Sequence, residues 1–331
     1  NKAIPTTFTP AFPVKYDPKT KDYKIVHCSG KHQVPGFAPM NEAESEDFDT
    51  ENQIGVIASL RDFLSDRLSS EVLEKLHVSI LPNDTFAAGG MVHEGGIIDG
   101  TGGNMAMGTK NMECGQYQGF TPMLLDHLVA ESMGDENINF EWLFSGKYMY
   151  QYLKESVKLF LGNDHVLMDK LQLLDNTKNN IIISDIVFKE DFDINSLAGE
   201  GCEFTYGEQV MIKAISTQIM NRAVDAVAQM AVATSRYNTI ESRGTAPEQY
   251  TLGGDGSLIL KTPKFVEAIN TRLDELVSEN NLTKPVSIVP FDSKAAAEYV
   301  GDGEAEISID ATGNGTANFA IASYLHSQKV A

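Results

Sequence analysis

One long, uninterrupted helical pattern constrains this chain more than any other feature. From Thr205 onward, apolar residues recur every three or four positions, and no proline interrupts them as far as Arg236. Thr205 and Glu208 have the spacing of a capping box, in which hydroxyl and carboxylate each satisfy a free backbone N–H. The pattern predicts a helix over about 206–236, roughly 45 Å long. The apolar face of this helix contains many small residues such as alanine, which favours a helix laid across a sheet. Its residues are Ile212, Ile215, Ile219, Ala223, Ala226, Val227 and Met230.

The residues after this helix predict a small α+β domain over 246–331. Thr262 followed by a proline gives an N-cap with proline at the first helical position, and an amphipathic helix is predicted over 263–280. A strand over 286–289, a helix over 292–300 and short C-terminal strands complete the prediction.

The middle of the chain contains shorter elements. A helical segment is predicted over 51–84, and further helices begin at Pro122 and run over about 140–161. The apolar, β-branched run 181–188 is typical of a buried strand. Together with the long helix, these elements form a predicted domain over 121–245.

Two further segments have little apolar periodicity of their own. Six prolines interrupt residues 1–50, which predicts an extended N-terminal arm. Eight glycines lie within 86–108, and the entropy cost of ordering them favours an extended, mobile loop over 85–120. Both segments predict contacts with neighbouring copies of the chain.

Composition excludes several classes of function. Apolar residues make up 42% and charged residues 22% of the 331 residues, which is typical of a folded globular chain. Forty-six acids against 26 bases give a net charge of −20, which disfavours binding to nucleic acid or to anionic lipid. Three distant cysteines, Cys28, Cys114 and Cys202, do not indicate a disulfide framework. No apolar run reaches the ~20 residues of a membrane span, and the N-terminus lacks a signal-peptide pattern.

The glycine motifs do not match a nucleotide-binding pattern. Residues from Gly103 to Lys110 approach a phosphate-binding loop, but Thr109 precedes Lys110 where the motif requires the reverse order. Gly253–Gly256 and Gly313–Gly315 are interpreted as turns. No cofactor-binding residue is therefore predicted.

The candidate metal ligands also lack a defining spacing. His27, Cys28 and His32 are not part of a paired Cys-x-x-Cys arrangement, so their proximity is interpreted as incidental. Asp255 and Asp310 are calcium-ligand types, but neither lies in an EF-hand pattern. No metal site is predicted.

Two residue pairs are conceivable catalytic groups. His93 and Glu94 lie in the glycine-rich segment but lack the second histidine of a metalloprotease helix. Cys114 and His127 are a nucleophile and a base by type, although nothing in the sequence brings them together. No catalytic residue is assigned.

From Thr205 onward, the order of elements resembles the major capsid protein of tailed bacteriophages, a fold shared with encapsulins. In that family a long spine helix crosses the subunit, and a glycine-rich connection leads to an axial domain. The resemblance implies an α+β fold in which the long helix packs on a small sheet, with 121–245 as a peripheral-type domain and 246–331 as the axial-type domain. The arm (1–50) and the loop (85–120) would reach neighbouring subunits.

What this resemblance implies is a structural role and no enzymatic activity. The chain would assemble with copies of itself into hexamers and pentamers of an icosahedral shell around double-stranded DNA. It would contact decoration, portal or scaffold proteins, but no specific nucleic-acid sequence and no membrane. It would be made in the host cytoplasm and end in the virion. The alternatives are another phage structural protein, such as a tail or sheath component, and a soluble enzyme that uses residues 93–114.

Overall fold

In a computed structural model, the chain forms two compact units. One contains residues 94–290, and the other contains residues 1–93 and 291–331. The residues that the structure describes are 6–8, 11–17, 22–28, 32–34, 69–74, 85, 94–100, 102–107, 110–162, 166–171, 182–198, 202–241, 247–280 and 285–290. The helix predicted over 292–300, the C-terminal strands and most of the helical segment predicted over 51–84 lie outside them.

In the unit that contains the N-terminus, short strands pair two by two. Strand β1 (Thr6–Phe8) is antiparallel to β4 (His32–Val34), and β2 (Ala11–Asp17) is antiparallel to β3 (Asp22–Cys28). A five-residue helix, α1 (Ser70–Glu74), follows. The extended segments predicted between the prolines are therefore paired with each other.

A five-stranded mixed sheet lies at the centre of the unit 94–290. Its strands are β5 (Gly95–Asp99), β6 (Gly103–Met107), β7 (Lys110–Asn111), β8 (Tyr250–Asp255) and β9 (Val286–Pro290). They are ordered β7-β6-β5-β8-β9. Strand β6 is antiparallel to β5 and β7, whereas β8 is parallel to β5 and β9.

Helices surround this sheet. They are α2 (Leu124–Met133), α3 (Gly146–Leu161), α4 (Val166–Leu171), α5 (Ile182–Phe188), α6 (Tyr206–Glu241), α7 (Ser257–Lys261) and α8 (Pro263–Glu279). Turns of 3-10 helix cover Cys114–Gln116, Phe140–Leu143 and Ile194–Leu197. Within the described ranges, none of the helices has a stretch long and apolar enough to cross a membrane.

The long helix, α6, is confirmed and extends five residues beyond the predicted end. Its capping box is formed, because the Thr205 N–H donates to Glu208 Oε2 at 2.7 Å and the Glu208 N–H donates to Thr205 Oγ1 at 3.3 Å. The helix packs against α3, α5, α8 and strand β6. Small side chains on its buried face allow this close packing, as predicted, and the fully buried ones include Ala223, Ala228 and Ala231.

The prediction of an extended, mobile loop is wrong for Gly95–Asp99, Gly103–Met107 and Lys110–Asn111, which form β5, β6 and β7. Ile97 and Met105 face each other across the β5–β6 pair, and both are fully buried. Glycine is required here by packing, since a Cβ at Gly103 would lie 2.0 Å from a ring carbon of Phe144. The pairing of β5 with β8 places residues of the predicted loop and of the predicted axial-type domain in one sheet.

The strand predicted over 181–188 is also wrong, because residues Ile182–Phe188 form helix α5. A short apolar run does not distinguish a buried strand from a buried helix. Ile183 and Ile186, three positions apart, are both buried. Ser184 lies within hydrogen-bond distance of Thr262, 3.1 Å between hydroxyl oxygens. Thr262 precedes α8 as predicted, but its hydroxyl does not cap that helix.

A buried ion pair ties three of the helices together. Arg222 on α6 donates two hydrogen bonds to the carboxylate of Asp126 on α2, at 2.6 and 2.7 Å. The same carboxylate accepts a hydrogen bond from the hydroxyl of Tyr152 on α3 at 2.7 Å, and one from the Met123 N–H at 2.6 Å. Burial alone would raise the pKa of Asp126, but these hydrogen bonds outweigh burial and lower it.

We expect Asp126→Ala to destabilise the protein by about 3 kcal/mol, because it leaves the largely buried Arg222 guanidinium without its partner. The loss in free energy of unfolding should be complete above the pKa of Asp126 in the unfolded state. It should disappear as pH falls through the lowered pKa of Asp126 in the folded state. Urea unfolding at several pH values measures it. Glu190→Ala is the control, since its 2.8 Å pair with Lys264 is exposed and should contribute little. Equal effects of the two substitutions would contradict the role of the buried pair.

Candidate functional site

Two similar turns lie side by side at one edge of the central sheet. Asp99 ends β5 and Asp255 ends β8, and these strands are parallel, with Ile98 paired to Asp255. Each aspartate is followed by a glycine and then by a hydroxyl residue. We call the described residues 99, 100, 102 and 103 the first glycine turn, and residues 255–257 the second glycine turn. In open sheets, the carboxyl ends of parallel strands are where ligands commonly bind.

The two glycine turns are in direct backbone contact. Gly256 has a φ of +98°, and a Cβ there would lie 2.3 Å from the carbonyl oxygen of Asp99. A Cβ at Gly100 would lie 3.2 Å from the backbone nitrogen of Ser257. The N–H of Gly146, at the start of α3, donates to the Gly100 carbonyl at 2.7 Å. The turns therefore present closely packed backbone that only glycine permits at Gly256.

An unusual buried carboxyl group lies where the turns meet. Asp99 is fully buried, and neither of its carboxyl oxygens has a hydrogen-bond partner among the described residues. The hydroxyls of Ser145 and Ser257 are likewise buried and unpartnered there. Burial, with a smaller contribution from the nearby Glu141 carboxylate, raises the pKa of Asp99 well above its usual value.

Next to the first glycine turn, amide and carboxylate side chains form a hydrogen-bonded group. The Asn104 amide donates to Asn111 Oδ1 at 2.7 Å, and the Asn111 amide donates to Glu113 Oε1. The Cys114 N–H donates to Asn104 Oδ1 at 3.2 Å. Strands β6 and β7 and the following 3-10 helix thus fix these side chains relative to each other.

Glu141 lies beside the same group and completes it. The Gly103 N–H donates to Glu141 Oε2 at 3.4 Å, and the Tyr148 hydroxyl donates to Glu141 Oε1 at 3.2 Å. Gly115 lies between them, because a Cβ there would be 2.5 Å from the Gly103 carbonyl oxygen and 3.1 Å from Glu141 Cβ. We call Asn104, Asn111, Glu113 and Glu141 the amide–carboxylate cluster.

The backbone of Glu113 is strained. Its φ and ψ are 43° and 40°, and among the described residues no other non-glycine residue has a positive φ. Such a conformation costs about 1–3 kcal/mol and persists where the surroundings enforce it, often at functional sites. The cluster therefore combines strain, carboxylates and amides, which are groups that hydrogen-bond to hydroxyl-bearing ligands.

Of the two residue pairs that the sequence suggested as catalytic, the structure describes Glu94, Cys114 and His127. Glu94 Oε2 accepts a hydrogen bond from the Thr251 N–H at 2.7 Å, at the opposite end of β5 and β8 from the glycine turns. His93 lies outside the described residues. Cys114 Sγ lies 3.8 Å from Thr234 Oγ1, whereas His127 is exposed on α2. Burial raises the pKa of the Cys114 thiol, which disfavours the reactive thiolate form.

The other candidates are dispersed. His27 and Cys28 lie on β3, and His32 lies on β4, which belongs to a different strand pair. Asp255 is part of the second glycine turn, and its Oδ1 accepts a hydrogen bond from the next N–H at 2.6 Å. Asp310 and Gly313–Gly315 are outside the described residues. Within the described part of the chain, no three His, Cys, Asp or Glu side chains are grouped to hold a metal ion.

Sequence reasoning missed the residues that the structure brings together. Asp99 and Asp255 each open an Asp-Gly-Thr/Ser triplet, a short repeat that could have been recognised. Asn104, Glu113 and Glu141 have no characteristic spacing, and only the fold makes them neighbours.

Comparison with known proteins identifies the family to which this chain belongs. The hexokinase family model matches residues 111–297, more than half of the chain. A hexokinase crystal structure superposes with a TM-score of 0.58 at 19% identity, covering 81% of this chain and 59% of that one. The hexokinase from Schistosoma mansoni complexed with glucose gives a TM-score of 0.55 at 14% identity, covering 96% and 85%. No curated protein sequence matches the chain.

The chain belongs to the hexokinase family, and it spans 59% of the length of the first of these hexokinase structures. The resemblance to phage capsid proteins is therefore wrong. Membership in this family also contradicts the capsid-type α+β fold, the non-enzymatic structural role, the capsomer and portal partners and the location in a virion. The alternative of an enzyme that uses residues 93–114 agrees better with the findings. Element order misled because it does not specify which strands pair.

We expect Gly256→Ala to destabilise the protein by about 2–4 kcal/mol, through left-handed strain combined with a backbone clash. Gly134→Ala is the matched control, because Gly134 also has a positive φ (67°) but no atom lies within 4 Å of a Cβ there. In Gly134→Ala, backbone strain alone should lower the free energy of unfolding by about 1 kcal/mol. Denaturant unfolding measures both substitutions. Equal losses would show that contact between the glycine turns adds nothing.

Proposed function

We propose that this chain carries out the hexokinase reaction, the transfer of the terminal phosphoryl group of a nucleoside triphosphate to a hydroxyl group of a hexose. The glycine turns bind the phosphates, and the amide–carboxylate cluster binds the hexose. Membership in the hexokinase family supports the reaction class. The geometry of the described residues supports the division of roles.

Three properties suit the glycine turns to phosphate. They lie at the carboxyl ends of β5 and β8, where an open sheet leaves a crevice. Their glycines let backbone N–H groups approach a phosphate without interference from a Cβ. In the sequence, each of the two aspartate–glycine pairs is followed by a hydroxyl residue, Thr101 and Ser257. Phosphate recognition by glycine-rich backbone with a nearby hydroxyl is a recurrent arrangement.

The amide–carboxylate cluster suits a neutral, hydroxyl-rich ligand. Ionised carboxylates accept hydrogen bonds only, and amides both donate and accept, so together they can pair with several hydroxyl groups. The half-buried Glu113 and Glu141 would repel an anionic substrate. The Schistosoma mansoni hexokinase structure contains glucose, which supports a hexose as the ligand here.

The observation that carries the proposal is the contact between the two parts. The N–H of Gly103, the last residue of the first glycine turn, donates to Glu141 Oε2 at 3.4 Å. A phosphate and a hexose bound on either side of this contact would be neighbours. Phosphoryl transfer is catalysed mainly by positioning and by electrostatic stabilisation, and this arrangement supplies the positioning.

The direct test is to incubate the purified chain with glucose and ATP in the presence of Mg²⁺ and to follow hexose phosphate by ³¹P NMR. We expect glucose- and ATP-dependent formation of hexose phosphate together with ADP. A preparation that is folded by circular dichroism but forms no hexose phosphate and binds neither glucose nor ATP in calorimetry would refute the proposal.

We expect Glu141→Gln and Glu113→Gln to weaken glucose binding by about 10- to 100-fold, because each removes a charged acceptor of a hydroxyl hydrogen bond. Affinity for ATP should change little, and calorimetry with each ligand separately distinguishes the two effects. Glu267→Gln, at an exposed position on α8, is the control for loss of one negative charge. If all three substitutions affected glucose binding equally, the cluster would not be the sugar site.

A further inference from the structure

The buried carboxyl group of Asp99 is not explained by binding of phosphate or hexose as described above. It is 0% exposed, and neither oxygen has a partner among the described residues. Burying a polar group without a hydrogen bond is costly, so such groups are few in folded proteins. Its place is specific, because the Asp99 carbonyl oxygen lies against Gly256, where the two glycine turns touch.

The groups around Asp99 make its ionisation unfavourable. Glu141 contributes a nearby carboxylate from the 3-10 helix Phe140–Leu143. Asp255 ends the adjacent strand β8, and its Oδ1 accepts a hydrogen bond from the Gly256 N–H at 2.6 Å. From the start of α3, Lys147 is exposed and its Nζ lies 3.4 Å from the Tyr148 hydroxyl. Gly103 at the start of β6, Gly256 before α7 and Ser257 at the start of α7 carry no charge.

We propose that Asp99 is a positioning residue for the nucleotide: its uncharged carboxyl group keeps the two glycine turns in contact, and loss of its proton separates them and weakens nucleotide binding. This inference rests on the proposed function, because it assigns nucleotide phosphate to the turns.

The sign of the effect follows from proton linkage. Burial and Glu141 raise the pKa of Asp99 in the closed arrangement. The closed turns therefore hold a proton that opened, hydrated turns release. Contact between the turns is fully stable at low pH and is lost as pH rises through the raised pKa. One linked proton changes the equilibrium by at most about tenfold per pH unit.

Amide hydrogen exchange tests this independently of catalysis. The Gly146 N–H donates to the Gly100 carbonyl and the Gly103 N–H donates to Glu141, so both report on the first glycine turn. After correction for intrinsic exchange, we expect the opening equilibrium that these two amides report in the wild type to increase as pH rises through the raised pKa of Asp99, by up to about tenfold per pH unit. Asp99→Asn keeps the shape and removes the ionisation, so its opening should not depend on pH.

Two further variants make the result decisive. Asp99→Leu is uncharged and apolar, and it should also show pH-independent opening if Asp99→Asn folds poorly. Asp191→Asn, at an exposed position, should retain the wild-type slope. If opening in Asp99→Asn and Asp99→Leu had the same pH dependence as in the wild type, Asp99 would not control the contact between the turns. The same would follow if opening in the wild type did not depend on pH.

Calorimetry with ATP and Mg²⁺ over the same pH range completes the test. The Kd of the wild type should rise with pH in parallel with opening, whereas the Kd of Asp99→Asn should stay constant. Absence of ATP binding at every pH would overturn the proposed function together with the nucleotide role of Asp99. ATP binding whose pH dependence is the same in the wild type and in Asp99→Asn would overturn the role of Asp99 alone.

Discussion

The parallel pairing of β5 with β8 is the interaction on which the candidate site depends. These strands are far apart in the chain, yet their register, with Ile98 opposite Asp255, brings two aspartate–glycine turns to one edge of the sheet. Helices α6 and α8 pack against each other and against strands β6 and β9, and they bury apolar side chains that hold the sheet in place. Fully buried Leu252 and nearly buried Ile288 pair on neighbouring strands and tie the sheet to this core. Without this pairing, the glycine turns would be ordinary connections.

Negative charge is a second constraint on the candidate site. The chain has a net charge of −20, and Glu113 and Glu141 lie beside the turns assigned to phosphate. Adding a polyphosphate to such surroundings is unfavourable unless nearby groups are neutral or a cation accompanies it. The uncharged Asp99 that we propose fits this requirement, since a further ionised carboxylate at the turns would add to the repulsion. The net negative charge that disfavours nucleic-acid binding would also make binding of a nucleotide sensitive to the protonation state of Asp99.

Local patterns predicted the helices well and the sheet poorly, for physical reasons. The capping box at Thr205 and the proline at the start of α8 act through contacts within a few residues, so the sequence contains the whole signal. The strands β5 and β6 are rich in glycine because Phe144 and neighbouring backbone pack against them. That requirement depends on residues distant in sequence, and the composition alone favoured a mobile loop. Glu113 and Glu141 likewise become neighbours through packing around Gly115, which no spacing rule describes.

The cost of the buried Asp99 carboxyl connects stability to function in this fold. An apolar residue at the end of β5 could pack beside Ile97 and would leave no buried carboxyl group without a hydrogen-bond partner. Keeping an acid there lowers stability, and this is reasonable where it brings a property that an apolar side chain lacks. Ionisation is that property. The backbone contact between the turns has no titratable group of its own, so Asp99, which lies directly at the contact, is well placed to make its closure sensitive to pH.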